Sequence, residues 1–328
     1  MAKQGSSQLV GLLVIGDPHL EGRQPDFRKD NYPETVLGKV EWCLDYARAN
    51  KLLPTFLGDM FQNPRDNPTW MLSRLIEKMR DSGAVGIFGN HDCAETQLND
   101  HDSLSLLVKA TCLRIVDYQN PWKGEMNHRT VYIGGSSYRH PIPERFEVAE
   151  ATQKQTLFDS DPLVIWLTHH DIEVPGYESG HIKPFEIENV DMLINGHIHK
   201  RSESVQVGET TWMNPGNISR RNRSDRSRDH VPRVLRIDVD ETTYQVSDVV
   251  VPYEPFEKVF HLAEASVDAT PTESGFVSGL KSLISVKTES GAGLLEFLDK
   301  NLDQFEDEVA SEIRDLAAEI TQSEPQNA

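Results

Sequence analysis

Five short apolar runs in this chain each give way, within one to five residues, to aspartate, asparagine or histidine. Ile15 leads into Gly16-Asp17-Pro18-His19, Leu57 into Gly58-Asp59, and Phe88 into Gly89-Asn90-His91-Asp92. Leu167 leads into Thr168-His169-His170, and Ile194 into Asn195-Gly196-His197-Ile198-His199. Short apolar runs of this kind, rich in β-branched residues, read as buried strands. Ligand sites in open α/β sheets lie beyond the carboxyl ends of the strands. A chain that ends five strands in this way is expected to gather the polar residues along one edge of its sheets.

The segments between the runs fit that arrangement. Gln8–Ile15, Leu52–Leu57 and Ala84–Phe88 are strand-like. Between them, Pro33–Asn50 places Val36, Val40, Cys43, Leu44 and Ala47 at helical spacing. Asn67-Pro68 reads as an N-cap followed by proline at the first helical position. Met71, Leu72, Leu75, Ile76 and Met79 continue that helix to Gly83. The order βαβαβ predicts a layered α/β domain. Later runs are Val131–Gly134, Leu163–Leu167, Val190–Ile194, Thr210–Met213, Val234–Val239 and Tyr244–Val251. The last four, with little helical pattern between them, are expected to be neighbouring and largely antiparallel strands.

Character changes near Pro252-Tyr253-Glu254-Pro255, which suggests a catalytic domain over 1–252 and a small C-terminal region over 253–328. In the latter, Leu294, Leu298, Leu302, Phe305, Val309, Ile313, Leu316 and Ile320 form one apolar stripe. Eleven acids against three bases lie between Lys287 and Glu324. Such a helix packs on its own domain or docks a partner.

At 328 residues the chain can bury a sizeable core. No apolar run approaches the roughly 18 residues of a membrane span, and the opening MAKQGSSQLVG has no charged-then-apolar signal layout. Three cysteines without CxxC spacing fit reduced thiols, so a cytoplasmic location is expected. A net charge of −19 disfavours a general nucleic-acid coat. One local exception is Ser219–Arg236, with seven arginines against two aspartates. It is either a solvated loop or a contact for a polyanion.

The donors at the strand ends are carboxylates, an amide oxygen and imidazoles, with no thiolate. Manganese, iron or zinc suits such a set better than calcium does. Seven donor groups exceed what one open catalytic ion takes and match two ions sharing a carboxylate, an arrangement that clamps a phosphate.

The ordered blocks GDPH, GD, GNHD, THHD and GHIH resemble the calcineurin-like metallophosphoesterase superfamily over roughly residues 8 to 218. The resemblance implies a two-sheet αββα sandwich and two divalent ions, manganese first among them. It places Asp17, His19, Asp59 and His199 around one ion. Asp59 bridges to a second, completed by Asn90, His169 and His197. His91 would protonate the leaving oxygen, Asp92 would orient His91 or the neighbouring loops, and the nucleophile would be metal-bound hydroxide. His170 would face solvent or the substrate rim, and His101 would lie near enough to the His91 loop to touch substrate.

Within the superfamily, DPHL and GDMFQN are similar to the SbcD-type DNA-repair nucleases, with a layout close to viral members. That would put the chain in the host cytoplasm. The implied partners are DNA, an SbcC-like coiled-coil ATPase docked through the terminal helix, and a second copy of the chain. The arginine segment would contact the DNA backbone. The alternative is a phosphodiesterase or phosphatase acting on nucleotides or other small esters.

Overall fold

A computed structural model describes residues 8–25, 27–147, 161–176, 180–221 and 228–261, and in it every apolar run named above is a strand. The N-terminal half runs β1 (Gly11–Ile15), α1 (Tyr32–Ala49), β2 (Leu52–Phe56), α2 (Thr69–Met79), β3 (Val85–Gly86), α3 (Ser103–Lys109) and β4 (Arg114–Ile115). Then come β5 (Trp122–Met126), β6 (Arg129–Ser136), β7 (Leu163–Thr168), β8 (Met192–Asn195), β9 (Val205–Val207) and β10 (Thr210–Met213). The described chain closes with β11 (Arg233–Val239), β12 (Tyr244–Val250) and the single turn α4 (Phe256–Val259).

The strands form two six-stranded sheets, in the orders β12-β11-β1-β2-β3-β4 and β5-β6-β7-β8-β10-β9. In the first sheet β1, β2, β3 and β4 are mutually parallel, with β11 antiparallel to β1 and β12 antiparallel to β11. In the second, β6, β7, β8 and β10 are parallel, and β5 and β9 close the two edges in antiparallel sense.

Alternation of side chains decides the layers. Leu12 and Val14 of β1 join Leu163, Ile165 and Leu167 of β7 and Met192 and Ile194 of β8 in the core between the sheets. Leu13 and Ile15 point the other way, onto Val36, Val40, Cys43 and Leu44 of α1 and Met71, Leu75 and Met79 of α2. Val164, Trp166 and Leu193 point away from the inter-sheet core, into a third cluster with Phe146, Ile172, Ile187 and Trp212. The strands β1, β2, β7 and β8 are therefore buried on both faces, and the sequence of each reads as a largely apolar run. This is the α/β sandwich expected from the sequence: two mixed sheets flanked by helices.

Helix boundaries follow local chemistry. Asn31 caps α1, its side chain accepting from Glu34 N–H at 3.4 Å, with Pro33 in the first turn. The cap of α2 differs from expectation. Pro68 occupies the N-cap position, and Asn67 instead donates from Nδ2 to Asn63 O and Ser103 Oγ, tying the α2 entry to α3.

The expected antiparallel neighbourhood of the last four runs holds for β11 and β12 but not for the other two. β8 and β10 pair in parallel, and β11 and β12 lie in the other sheet beside β1. Residues 196–209 supply the long return that a parallel pair needs, and they do it without a helix. Helical periodicity therefore gave no warning of the crossover.

The chain divides into units Met1–Leu262 and Ala263–Ala328. Residues past Pro252 continue the first: Phe256, Val259 and Phe260 cluster, and Arg28 lies 4.8 Å from the Phe260 ring centroid. The terminal apolar stripe falls outside the described residues, as do Arg223 and Arg226.

One buried charge on α1 has a measurable consequence. Lys39 is buried and donates to Ile218 O at 2.9 Å. Burial, and then the nearby Arg220 and Arg28, push its amine down from 10.5 to about 7. Between those values the unfolded chain holds a proton that the folded chain has released, so this group adds stability as pH rises through that window. Lys39→Met, which fills a similar volume, should raise the urea midpoint at pH 7. The gap to wild type should shrink towards pH 10, as measured by paired denaturation curves.

Candidate metal centre

The parallel strands of both sheets deliver their polar ends to one place, and backbone hydrogen bonds tie the following loops together. Leu57 N–H donates to Ile15 O, His19 N–H to Asp59 O, Gly196 N–H to Thr168 O and Asn217 N–H to His199 O. The loops thus extend the sheet ladders past the last strand residues.

Two donor groups result. In one, His19 Nε2 lies 2.9 Å from His199 Nε2 and 3.6 Å from Asp59 Oδ2, and His199 Nε2 lies 3.8 Å from Asp17 Oδ2. In the other, Asn90 Oδ1 lies 3.1 Å from both His169 Nε2 and His197 Nδ1, and His169 Nε2 lies 3.3 Å from Asp59 Oδ2. Asp59 Oδ2 belongs to both. Its other oxygen accepts from His91 N–H at 2.8 Å. All seven residues expected as ligands are therefore brought together.

The arrangement fits a cation. His169 Nδ1–H donates to Leu57 O at 2.7 Å, so Nε2 faces Asn90 Oδ1 and Asp59 Oδ2 and offers a lone pair there once its proton is displaced. Neither oxygen of Asp17 meets a hydrogen-bond donor in bonding geometry, although the residue is fully buried. Donor atoms roughly 2.1 Å from one ion stand about 3–3.5 Å apart, close to most of the separations found here.

The electrostatics agree. Burial pushes His19 and His197 down, and His199 down to about 4, so these rings are neutral, as ligation requires. Burial works to raise Asp59, but His169, His19 and His91 outweigh it and hold the carboxyl well below the usual range. Burial, with the repulsion of Asp59, lifts Asp17 to about 8. Burial lowers His169, yet Asp59 and Asp17 prevail and lift it to about 9. A buried carboxyl that keeps its proton beside lone pairs turned on one another is the state a divalent ion would replace.

Four of the seven carry positive φ: Asp17 (37°), His19 (50°), Asp59 (47°) and His197 (68°). Left-handed backbone at non-glycine residues is costly and concentrates at functional sites. Composition gave no sign of it, because the strained residues are the donors themselves. The adjoining glycines serve close approach more than turning. A Cβ on Gly89 would stand 2.1 Å from Asp59 Oδ1, and one on Gly196 would stand 2.8 Å from both Asp17 Oδ1 and His169 Nδ1. Gly58, at φ 94°, is the one glycine of the three in a left-handed turn.

The neighbouring residues separate by contact. His91 is half-buried and donates from Nδ1 to Gln62 O at 2.8 Å, which leaves Nε2 for another partner. Its ring lies edge-on to His19 at 4.9 Å. His19, Asp59 and His91 place ligand atoms within 4.8 Å of one another. Asp92 does not touch His91 in any described contact. Its oxygens accept from Phe61 N–H and Gly89 N–H, bracing the second and third loops. His170 turns away, donating from Nε2 to His140 O, and burial lowers it to about 4. His101 is exposed, and its backbone N–H donates to Asn99 Oδ1. Gln62 and Tyr138, stacked on His197 at 6.4 Å, border the site and were not found from the sequence.

A buried set of nitrogen and oxygen donors in two groups with a shared carboxylate defines a metal-dependent hydrolase. The sequence profile of the calcineurin-like phosphoesterase family matches residues 11–201, more than half the chain, and the protein belongs to that family. No curated protein matches it by sequence.

Solved structures similar to it include the following three. One is a conserved uncharacterized protein of Streptococcus pneumoniae TIGR4, described as a predicted phosphoesterase, at 14% identity and TM-score 0.34, over 75% of this chain and 92% of that one. Another is the sulfate thiohydrolase SoxB of Thermus thermophilus in complex with glycerol, at 13% identity and TM-score 0.37, over 75% and 55%. The third is a hypothetical protein, also of Thermus thermophilus, at 10% identity and TM-score 0.39, over 74% and 99%.

Gly89→Ala tests the packing. The added methyl should displace Asp59 and lower manganese affinity at least tenfold, as read by titration calorimetry, with the circular dichroism of the fold retained. Manganese should raise the melting temperature of the wild-type protein above that of an EDTA-treated sample, because it binds the folded state.

Proposed function

We propose that the protein hydrolyses phosphodiesters with two divalent ions. Asp17, His19, Asp59 and His199 would hold one, and Asp59, Asn90, His169 and His197 the other. The observation that carries this is Asp59 Oδ2, which stands 3.6 Å from His19 Nε2 and 3.3 Å from His169 Nε2. Manganese is the ion we favour, and iron or zinc accommodates the same donors. The ions, when bound, supply Lewis-acid activation of the phosphate and of the attacking water.

The chain's own residues supply the remainder. His91, fixed through Nδ1 to Gln62 O, keeps Nε2 at the mouth of the site to give a proton to the departing alkoxide. Asp92 keeps the loops of Asp59 and His91 in register through two backbone N–H groups. Tyr138 packs on His197 and limits its rotation.

The substrate we favour is DNA, cut by an SbcD-type nuclease working with an SbcC-like ATPase. The motifs DPHL and GDMFQN support it. One observation favours the alternative, a small phosphoester. The described arginines of Ser219–Arg236 are engaged within the fold: Arg220 over Tyr253, Arg221 on Glu21, Arg228 over Phe256, Arg233 on Asp248 and Arg236 on Asp238. That leaves less of the segment's charge for a DNA backbone.

Assays with manganese on single-stranded DNA, duplex DNA and a panel of small phosphodiesters decide between the two. Turnover of DNA supports the nuclease, and turnover of the small esters alone supports the alternative. His91→Ala should lower kcat by about a hundredfold or more while both ions stay bound, as counted by elemental analysis. Loss of an ion together with turnover would place His91 among the ligands instead.

A further inference from the structure

The turn after β6 holds a cation at the edge of the metal centre with no anion beside it among the described residues. His140 N–H donates to Ser137 O at 2.8 Å, closing a four-residue turn. Of its two central residues only Arg139 has positive φ, at 64°. That is the type II pattern, whose third position favours glycine or asparagine. An arginine there is strained, and the turn cannot relax. Phe88 N–H donates to Ser137 Oγ at 3.2 Å, and Tyr138 N–H to Phe88 O at 3.1 Å. Ser136 Oγ donates to Pro141 O at 2.7 Å, and His170 Nε2 to His140 O at 2.8 Å. Phe88 leads into the Asn90-His91 loop and His170 follows His169, so the turn is fastened to both.

Arg139 also lies near the donors. Its guanidinium lies 5.2 Å from the Tyr138 ring centroid, and that ring stacks on His197 at 6.4 Å. The guanidinium is therefore no farther from the His197 ring than the sum of those two separations. It is exposed and has no carboxylate or carbonyl partner among the described residues. Arg28, Arg65, Arg145, Arg201 and Arg221 each have a carboxylate. The Tyr138 ring already meets both His197 and the Arg139 guanidinium. What remains at this edge is a planar fork of donors suited to phosphate oxygens.

We propose that Arg139 binds a phosphate flanking the scissile one, so that the site selects a polynucleotide strand over an isolated phosphodiester. The assignment rests on the hydrolase reading above and names its substrate class. It accounts for the strain: a bulky residue occupies a glycine position because its side chain is needed at the rim.

Manganese-loaded wild type, Arg139→Gly and Arg139→Lys are compared on a single-stranded oligonucleotide and on bis(4-nitrophenyl) phosphate, which has one phosphate. In Arg139→Gly the ratio of kcat/KM for the oligonucleotide to that for the small diester should fall about tenfold, through KM, while the melting temperature is not lowered. In a His91→Ala background, anisotropy of a fluorescein-labelled oligonucleotide should show the log–log salt slope reduced by about 0.7 in Arg139→Gly and restored by Arg139→Lys. An equal fall on both substrates, or an unaltered salt slope, overturns the assignment. Wild-type turnover of the small diester but not of the oligonucleotide also overturns it, and leaves the hydrolase reading standing. Turnover of neither, with ions bound, ends the hydrolase reading, and the salt slope then decides Arg139 alone.

Discussion

A single carboxylate joins the two halves of this molecule. Asp59 extends from the end of β2 in one sheet. Its Oδ2 faces His19 of the same sheet and His169 of the other. The two sheets must stack with their parallel strands ending together for those three atoms to meet, and the inter-sheet core of Leu, Ile and Val residues fixes that stacking. Once they meet, a buried carboxylate stands between His19, which burial holds neutral, and His169, which Asp59 and Asp17 hold protonated. Taking charge out of water is costly unless it is paired, and here the natural partner is a cation.

The loops that carry the donors are prepared for it. Four of the donors sit in left-handed backbone, and backbone hydrogen bonds between loops keep them there. Asp92 illustrates the method: it is wholly buried, and each oxygen takes an N–H from a different loop. Gly89 and Gly196 lack side chains because the Asp59, Asp17 and His169 atoms occupy the space. The site is thus a property of close packing as much as of donor chemistry.

Much of this was legible in the sequence, for a physical reason. Strands buried on both faces read as unbroken apolar runs, and their abrupt ends in Asp, Asn and His marked both the strands and the donors. The pairing stayed hidden, because nothing in the run Thr210–Met213 tells that it lies parallel to β8. Other misses were contacts set by tertiary structure alone. The arginines between Ser219 and Arg236 read as free charge, whereas the described ones are spent on Tyr253, Glu21, Phe256, Asp248 and Asp238. The Ser137–His140 turn has neither glycine nor proline to announce it. Tyr138 and Arg139 therefore carried no signal until the fold brought Tyr138 onto His197 and Arg139 over Tyr138.

The shared carboxylate is open to one direct measurement. Electron paramagnetic resonance of the manganese-saturated protein distinguishes two ions coupled through a common ligand from two isolated ones. The account predicts two ions per chain with the spectrum of an exchange-coupled pair, lost in Asp59→Asn. A saturated wild-type protein showing only the signal of isolated manganese, or an Asp59→Asn variant with the coupled spectrum intact, would contradict it.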